Sequence, residues 1–127
     1  MALEQRRMHG EVSEREDLLD GRVRVDLDGD AEGWDVTASF GWRRGPGGEV
    51  ALEEGELTLT AGTAELYASL DGDGGAVEPD AETGAADVRA NFVVEGTAGE
   101  WPALVDRLVC TLAIGTEEWS GELRLGE

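Results

Sequence analysis

Residues 87–114 read DVRANFVVEGTAGEWPALVDRLVCTLAI. In the first part, Val88, Ala90, Phe92 and Val94 alternate with Asp87, Arg89, Asn91 and Glu95. A period of two puts one row of side chains on a buried strand face. The chain then breaks at Gly96-Thr97-Ala98-Gly99. Beyond the break, Trp101, Leu104, Val105, Leu108, Val109 and Leu112 recur at spacings of three and four. That stripe predicts an α-helix over about 100–112, with Pro102 in its first turn and Gly115 as its stop. The strand and the helix carry the densest apolar surface in the sequence. Each large side chain they bury is worth roughly 1.5–3 kcal/mol, so together they are expected to anchor the core.

Working outward from this stretch, the other segments read mainly as strands. Val23, Val25 and Leu27 alternate with Arg22, Arg24 and Asp26, and a turn follows at Gly29 to Gly33. Trp34, Val36, Ala38, Phe40 and Trp42 then form an apolar row with three aromatics, a large payload for one strand face. Arg44-Gly45-Pro46-Gly47-Gly48 is a loop. Two-residue hairpin turns at Glu54-Gly55 and Ala61-Gly62 would set Leu52 opposite Leu57, Leu59 opposite Ala64, and Leu57 opposite Leu66. Asp71 to Ala86 reads as a Gly-, Asp- and Ala-rich loop of about 16 residues that the domain should fold without. Trp119, Gly121, Leu123 and Leu125 form a last strand row.

At the N-terminus, Ser13 and Glu16 have the spacing of a capping box, which predicts a short helix over 14–20. The expected organisation is an N-terminal segment at 1–20 and one antiparallel β domain at 21–127. The fold class is mainly β: a meander of seven strands, closed as a small barrel or folded as a two-layer sandwich, with one inserted helix. In outline this order of elements resembles lipocalin-like barrels, without a residue signature of that family.

The charge bounds the environment. There are 29 acidic residues against 10 basic ones, a net charge of -19, and every basic residue is arginine. The acids are spread over nearly every segment, so at low salt the surface repels itself. At ~1 M salt the Debye length falls to about 3 Å and most of that repulsion is screened. The composition suits a salt-rich cytoplasm. No apolar run approaches the ~18 residues of a membrane span, and no basic stripe is available to neutralise phosphates, which argues against direct nucleic-acid binding.

Catalytic signatures are sparse. His9 is the lone histidine, lysine is absent, and Ser13, Ser39, Ser69 and Ser120 lie in no nucleophile elbow. Cys110 is the lone cysteine and reads as a small buried apolar residue. No cofactor is expected. Asp26, Asp28 and Asp30 begin an EF-hand spacing, but Ala31 and Thr37 stand where that loop needs glycine and glutamate. Asp71, Asp73, Glu78 and Asp80 are the better candidates for a cation site, because the glycines among them let carbonyls turn inward. Trp34, Phe40, Trp42, Trp101 and Trp119 are the candidate lining of a pocket or interface. The leading expectation is a non-catalytic β module acting through a protein partner or as a homo-oligomer. The alternatives are a small-molecule-binding barrel and an acidic inhibitor or nucleic-acid mimic.

Overall fold

The computed structural model describes residues 4–18, 20–80, 82–99 and 106–126, without the side chains of 4, 73 and 74. Eight antiparallel strands run β1 (Glu4–Asp17), β2 (Arg22–Ala31), β3 (Trp34–Arg44), β4 (Val50–Ala61), β5 (Ala64–Pro79), β6 (Ala86–Ala98), β7 (Arg107–Ile114) and β8 (Glu118–Gly126). Each pairs with its neighbour in sequence, and β1 pairs with β8, so the sheet closes as an up-and-down barrel. Closure satisfies the backbone of every strand without leaving an edge. Of the two packings expected, the barrel is the one formed, and the sandwich is not.

The apolar rows point inward. Val25, Leu27, Val36, Phe40, Leu57, Leu59, Leu66, Val88, Phe92, Leu108, Ile114, Trp119 and Leu123 are all buried. Phe40 and Phe92 meet edge to face across the interior, with ring centroids 6.0 Å apart. Gly55 packs beside that pair: a Cβ there would lie in ordinary contact with both rings at 3.5 Å and closer, at 3.3 Å, to Leu70 Cβ. The Trp119 indole donates to the Asp28 carbonyl at 3.0 Å and lies against Gly29, whose missing Cβ makes its place. Outward positions on the same strands are largely Asp, Glu, Arg and Thr. This polarity is the reverse of a membrane-spanning barrel, whose apolar band faces out. Among the described residues no helix is long and apolar enough to cross a membrane.

Both expected helices are absent from the described residues. Residues 100–105 lie outside them, but Arg107–Ile114 is strand β7, paired with β6 and β8. Leu108 and Leu112 fit either period, since a spacing of four is two whole cycles of a strand's period and nearly one helical turn. The inward row is Leu108, Cys110, Leu112 and Ile114, and β-branched Val109, Thr111 and Ile114 favour the pleated form. Without β7 the barrel could not close. The helix expected over 14–20 is replaced over its first part by β1, which runs through Asp17. Its capping-box residues are used otherwise: Ser13 Oγ donates to the Asp26 carbonyl at 3.1 Å. Among the described residues the strand count is accordingly eight rather than seven.

The hairpin expected at Glu54-Gly55 is instead an irregularity inside β4. Gly41 pairs with Glu54 and Trp42 with Leu52, so Glu53 is an extra residue. A one-residue bulge switches which parity points inward, so Val50 and Leu52 share the interior with Leu57 and Leu59. The next turn sits one position later than expected, at Gly62-Thr63 between the paired Ala61 and Ala64. Leu59 then faces Leu66 and Leu57 faces Ala68, a shift of two that keeps the same side chains inside. The turn after β2 tightens to Glu32-Gly33, with φ of 52° and 100°, the left-handed pair that matches strand twist in a hairpin.

The long loop expected at Asp71 to Ala86 is mostly strand. Leu70 pairs with Phe92 and Gly75 with Ala90, after which β5 stays paired with β6 through Pro79. Between those pairs β5 advances five residues while β6 advances two, so three residues bulge out. The connection that remains lies between Pro79 and Ala86, where the Asp80 N–H donates to the Ala85 carbonyl at 2.7 Å.

Candidate functional site

At one end of the barrel, β1, β3, β5 and β7 finish while β2, β4, β6 and β8 begin. Five of the ten arginines gather there around Val23 and Trp42: Arg15, Arg22, Arg24, Arg43 and Arg44. The hairpin register sets Arg22 directly opposite Arg43, and Arg24 opposite Gly41. Three of these side chains, Arg22, Arg24 and Arg43, stand on the outer face. Gly41 leaves a gap in that face, flanked by Arg24 on one side and Glu54 on the other.

The result is an outer groove of about 350 Å³, lined by Leu18, Arg22, Arg24, Gly41, Arg43 and Glu54 among others. Among the described residues, Leu18 is one of two large apolar side chains that are conspicuously exposed, at 42%. Each guanidinium already has an acidic neighbour: Arg22 meets Asp20 at 2.7 Å, Arg43 meets Glu53 at 3.2 Å, and Arg24 lies 3.9 Å from Asp26. The hydrogen bond from Arg22 holds the Asp20 carboxyl below its usual range. These pairs are exposed, so they contribute little stability. They leave the arginines able to exchange partners.

The inner side of the same end is a mouth of about 150 Å³ between Arg15, Val23, Trp42, Arg44, Val50 and Pro79. A bulge between Val12 and Glu14 decides its chemistry. Before it, Val12 faces Leu27; after it, Arg15 faces Val25 and Asp17 faces Val23. The inserted residue reverses the parity of β1 and turns Arg15 and Asp17 toward the barrel end. Arg15 Nε and Nη2 both donate to the Asp17 carboxylate at 3.2 Å. Its Nη1 reaches across the opening to the Gly84 carbonyl. The turn that supplies Gly84 is braced by Asp80, whose carboxylate accepts from the backbone N–H of Glu82 at 2.8 Å and of Thr83 at 3.3 Å. Those bonds lower the Asp80 pKa.

The expected cation ligands are therefore dispersed. Asp71 lies at the β5 bulge, Glu78 is exposed on β5, and Asp80 is committed to its turn. The Asp73 side chain lies outside the described residues. No group of three or more His, Cys, Asp or Glu among the described residues is placed to hold a metal. The aromatics divide. Trp34, Phe40, Trp42 and Trp119 are buried in the barrel, and Trp101 lies outside the described residues. Trp34 is at the opposite end, where the Arg6 guanidinium carbon stacks 3.6 Å from its ring centroid. Trp42 alone reaches both the groove and the mouth. His9 stands exposed on β1. Cys110 is fully buried on β7, which pushes its thiol up to about 12 and keeps it from acting as a nucleophile.

The arginines were not legible as a site in the sequence. Arg22, Arg24 and Arg43 are outward members of ordinary alternating rows, and only the register of the β2–β3 hairpin brings them together. Comparison with protein-family models, curated proteins and solved structures gave no match for the chain.

Proposed function

We propose that this chain is a non-catalytic β-barrel module that works through protein–protein contacts in a salt-rich cytoplasm, and that the outer groove between Leu18, Arg22, Arg24, Arg43 and Glu54 is where it makes them. The observation that carries this reading is three arginines, Arg22, Arg24 and Arg43, gathered with Glu16, Glu53 and Glu54 around one exposed leucine. Arginine is enriched at interface centres, where its planar fork and apolar stem both find partners. Two further features support it. A closed barrel offers no strand edge for a partner to extend, so recognition falls to outward side chains. The interior is filled by aromatic and branched residues, as in a packed barrel rather than a lipocalin-like cup.

A partner from the same salt-rich setting would itself be acidic. Long-range repulsion between two such surfaces is screened at ~1 M salt, which leaves short-range arginine–carboxylate pairs to set orientation. The test is affinity capture at 2 M KCl with the intact chain, with Arg22→Gln/Arg24→Gln/Arg43→Gln, and with Arg89→Gln/Arg124→Gln as control. Native mass in the same buffer reports self-association. The triple variant should lose its partner, or its self-association, by at least about ten-fold, at roughly 1.4 kcal/mol per decade, while the control retains it. Equal binding by all three proteins would remove the groove from the account.

A further inference from the structure

We propose that the mouth inside the arginine-bearing end binds a single carboxylate group carried on a short apolar body. This rests on different charged side chains from the outer groove, although Val23 and Trp42 border both, and it does not depend on that reading. The first observation is the division of labour between the two arginines. Arg15 spends Nε and Nη2 on Asp17 and Nη1 on the Gly84 carbonyl, so it is a fixed strut across the opening. Arg44 comes two residues after the buried Trp42 at the end of β3, where it is exposed, and it lines the same space. Among the described residues its guanidinium has neither an ion pair nor a hydrogen bond. Its backbone, in contrast, is held, with the Arg44 N–H donating to the Gly21 carbonyl at 3.2 Å. A charged fork on an anchored backbone, with its donors unspent, is suited to receive a carboxylate in bidentate fashion.

The second observation is the wall opposite that charge. Val23, Trp42, Val50 and Pro79 line the mouth and would cover an aliphatic group. The mouth, at about 150 Å³, is of a size to take a short branched acid. Of the other charges at this opening, Asp17 is paired with Arg15, and the Asp80 carboxylate, which two backbone N–H groups hold in its turn, stays ionised; Arg44 is the one cation there without an acidic partner among the described residues. The ligand class is therefore a small aliphatic carboxylate, either free or as the terminal carboxylate of a chain that ends in an aliphatic residue.

The experiment follows the Trp42 indole N–H in ¹H–¹⁵N spectra of the full chain at a constant 1 M KCl, with the signal assigned by Trp42→Phe. Isovalerate and N-acetyl-leucinate are titrated, with isovaleramide as the neutral isostere. Saturable shifts are expected with half-saturation on the order of millimolar; the tighter of the two acids identifies a free metabolite or a chain end as the source. Isovaleramide should produce no saturable shift. Arg44→Gln, an exposed position whose substitution leaves the spectrum dispersed, should weaken binding at least ten-fold, and Arg44→Lys should recover part of it. Arg22→Gln/Arg24→Gln/Arg43→Gln should bind the acids as the intact chain does, which separates this site from the groove. Equal shifts from acid and amide, or unchanged binding in Arg44→Gln, would overturn the proposal.

Discussion

Val77 lies opposite Val88 inside the barrel, both of them buried. This pairing ties the far half of β5 to the core and changes the status of the glycine-rich stretch before it. Replacing 72–85 with a Gly-Ser turn would remove Gly75 through Pro79, the segment of β5 paired with Ala86–Ala90. The shortened chain is expected to unfold in denaturant at far lower concentration than the intact one. Val77→Ala alone should cost about 1–3 kcal/mol, and exposed Ala76→Ser almost nothing. A shortened chain with full stability would show that β5 ends at Leu70.

A second prediction separates strand from helix at β7. Leu108 is buried while Val109, its neighbour on the outer side, is only partly covered. Leu108→Ala should cost roughly 2–5 kcal/mol, and Val109→Thr less than about 1 kcal/mol because threonine keeps the β-branch. In a helix with the stripe Val105, Leu108, Val109 and Leu112, both changes would be severe. Chemical denaturation of the two variants decides between them.

Gly29 and Gly96 make a matched pair for the third prediction. A Cβ on Gly29 would run into the His9 carbonyl oxygen and lie 2.6 Å from Trp119 Cζ2. At Gly96 nothing lies within 4 Å. Gly29→Ala should therefore destabilise by about 1–3 kcal/mol or more, while Gly96→Ala should be neutral or slightly stabilising through the unfolded chain. Thermal melts in one buffer test the difference, and equal melting temperatures would remove the close approach of Trp119 to β2.

Cys110 gives the alkaline limb of the stability curve a defined slope. Burial raises its thiol from an ordinary value of 9.0 to about 12. Below pH 9 both folded and unfolded chains keep the proton, and nothing is lost. As pH rises from 9 toward 12 the unfolded thiol ionises while the folded one does not, so stability falls by up to about 1.4 kcal/mol per pH unit. Between pH 9 and 10.5 the intact chain should lose more stability than Cys110→Ala does. Parallel slopes would mean that the thiol is not sealed in the core.

Salt should act on the whole molecule. With a net charge of -19 spread over the outer face, the melting temperature is expected to rise strongly from 0.1 to 2 M KCl. Chloride is a weak Hofmeister salt, so the gain is mainly screening. A flat profile over that range would remove the reading of a salt-rich environment.

Alternation alone determined much of this protein. Trp34 to Trp42, Val25 and Leu27, Val88 to Phe92, and Trp119 to Leu125 each carry their inward face in the order of their residues. A period of two has no other geometric meaning in a strand. The mainly β class and the acidic outer surface follow from the same reading. What local order could not decide was where the parity changes. At Glu53, after Val12 and beyond Leu70, the apolar row switches between odd and even positions, and a bulge and a turn leave the same trace in the sequence. Only pairing with the neighbouring strand distinguishes them, because the extra residue is defined by what it fails to face. The same limit hid β7, whose leucines four apart satisfy two periods at once. The demand to pair both β6 and β8, and so close the barrel, selected the strand. The arginine-bearing end belongs wholly to this second category. Arg22 meets Arg43 through hairpin register, and Arg15 enters the mouth through a bulge, so neither placement exists until the strands are aligned.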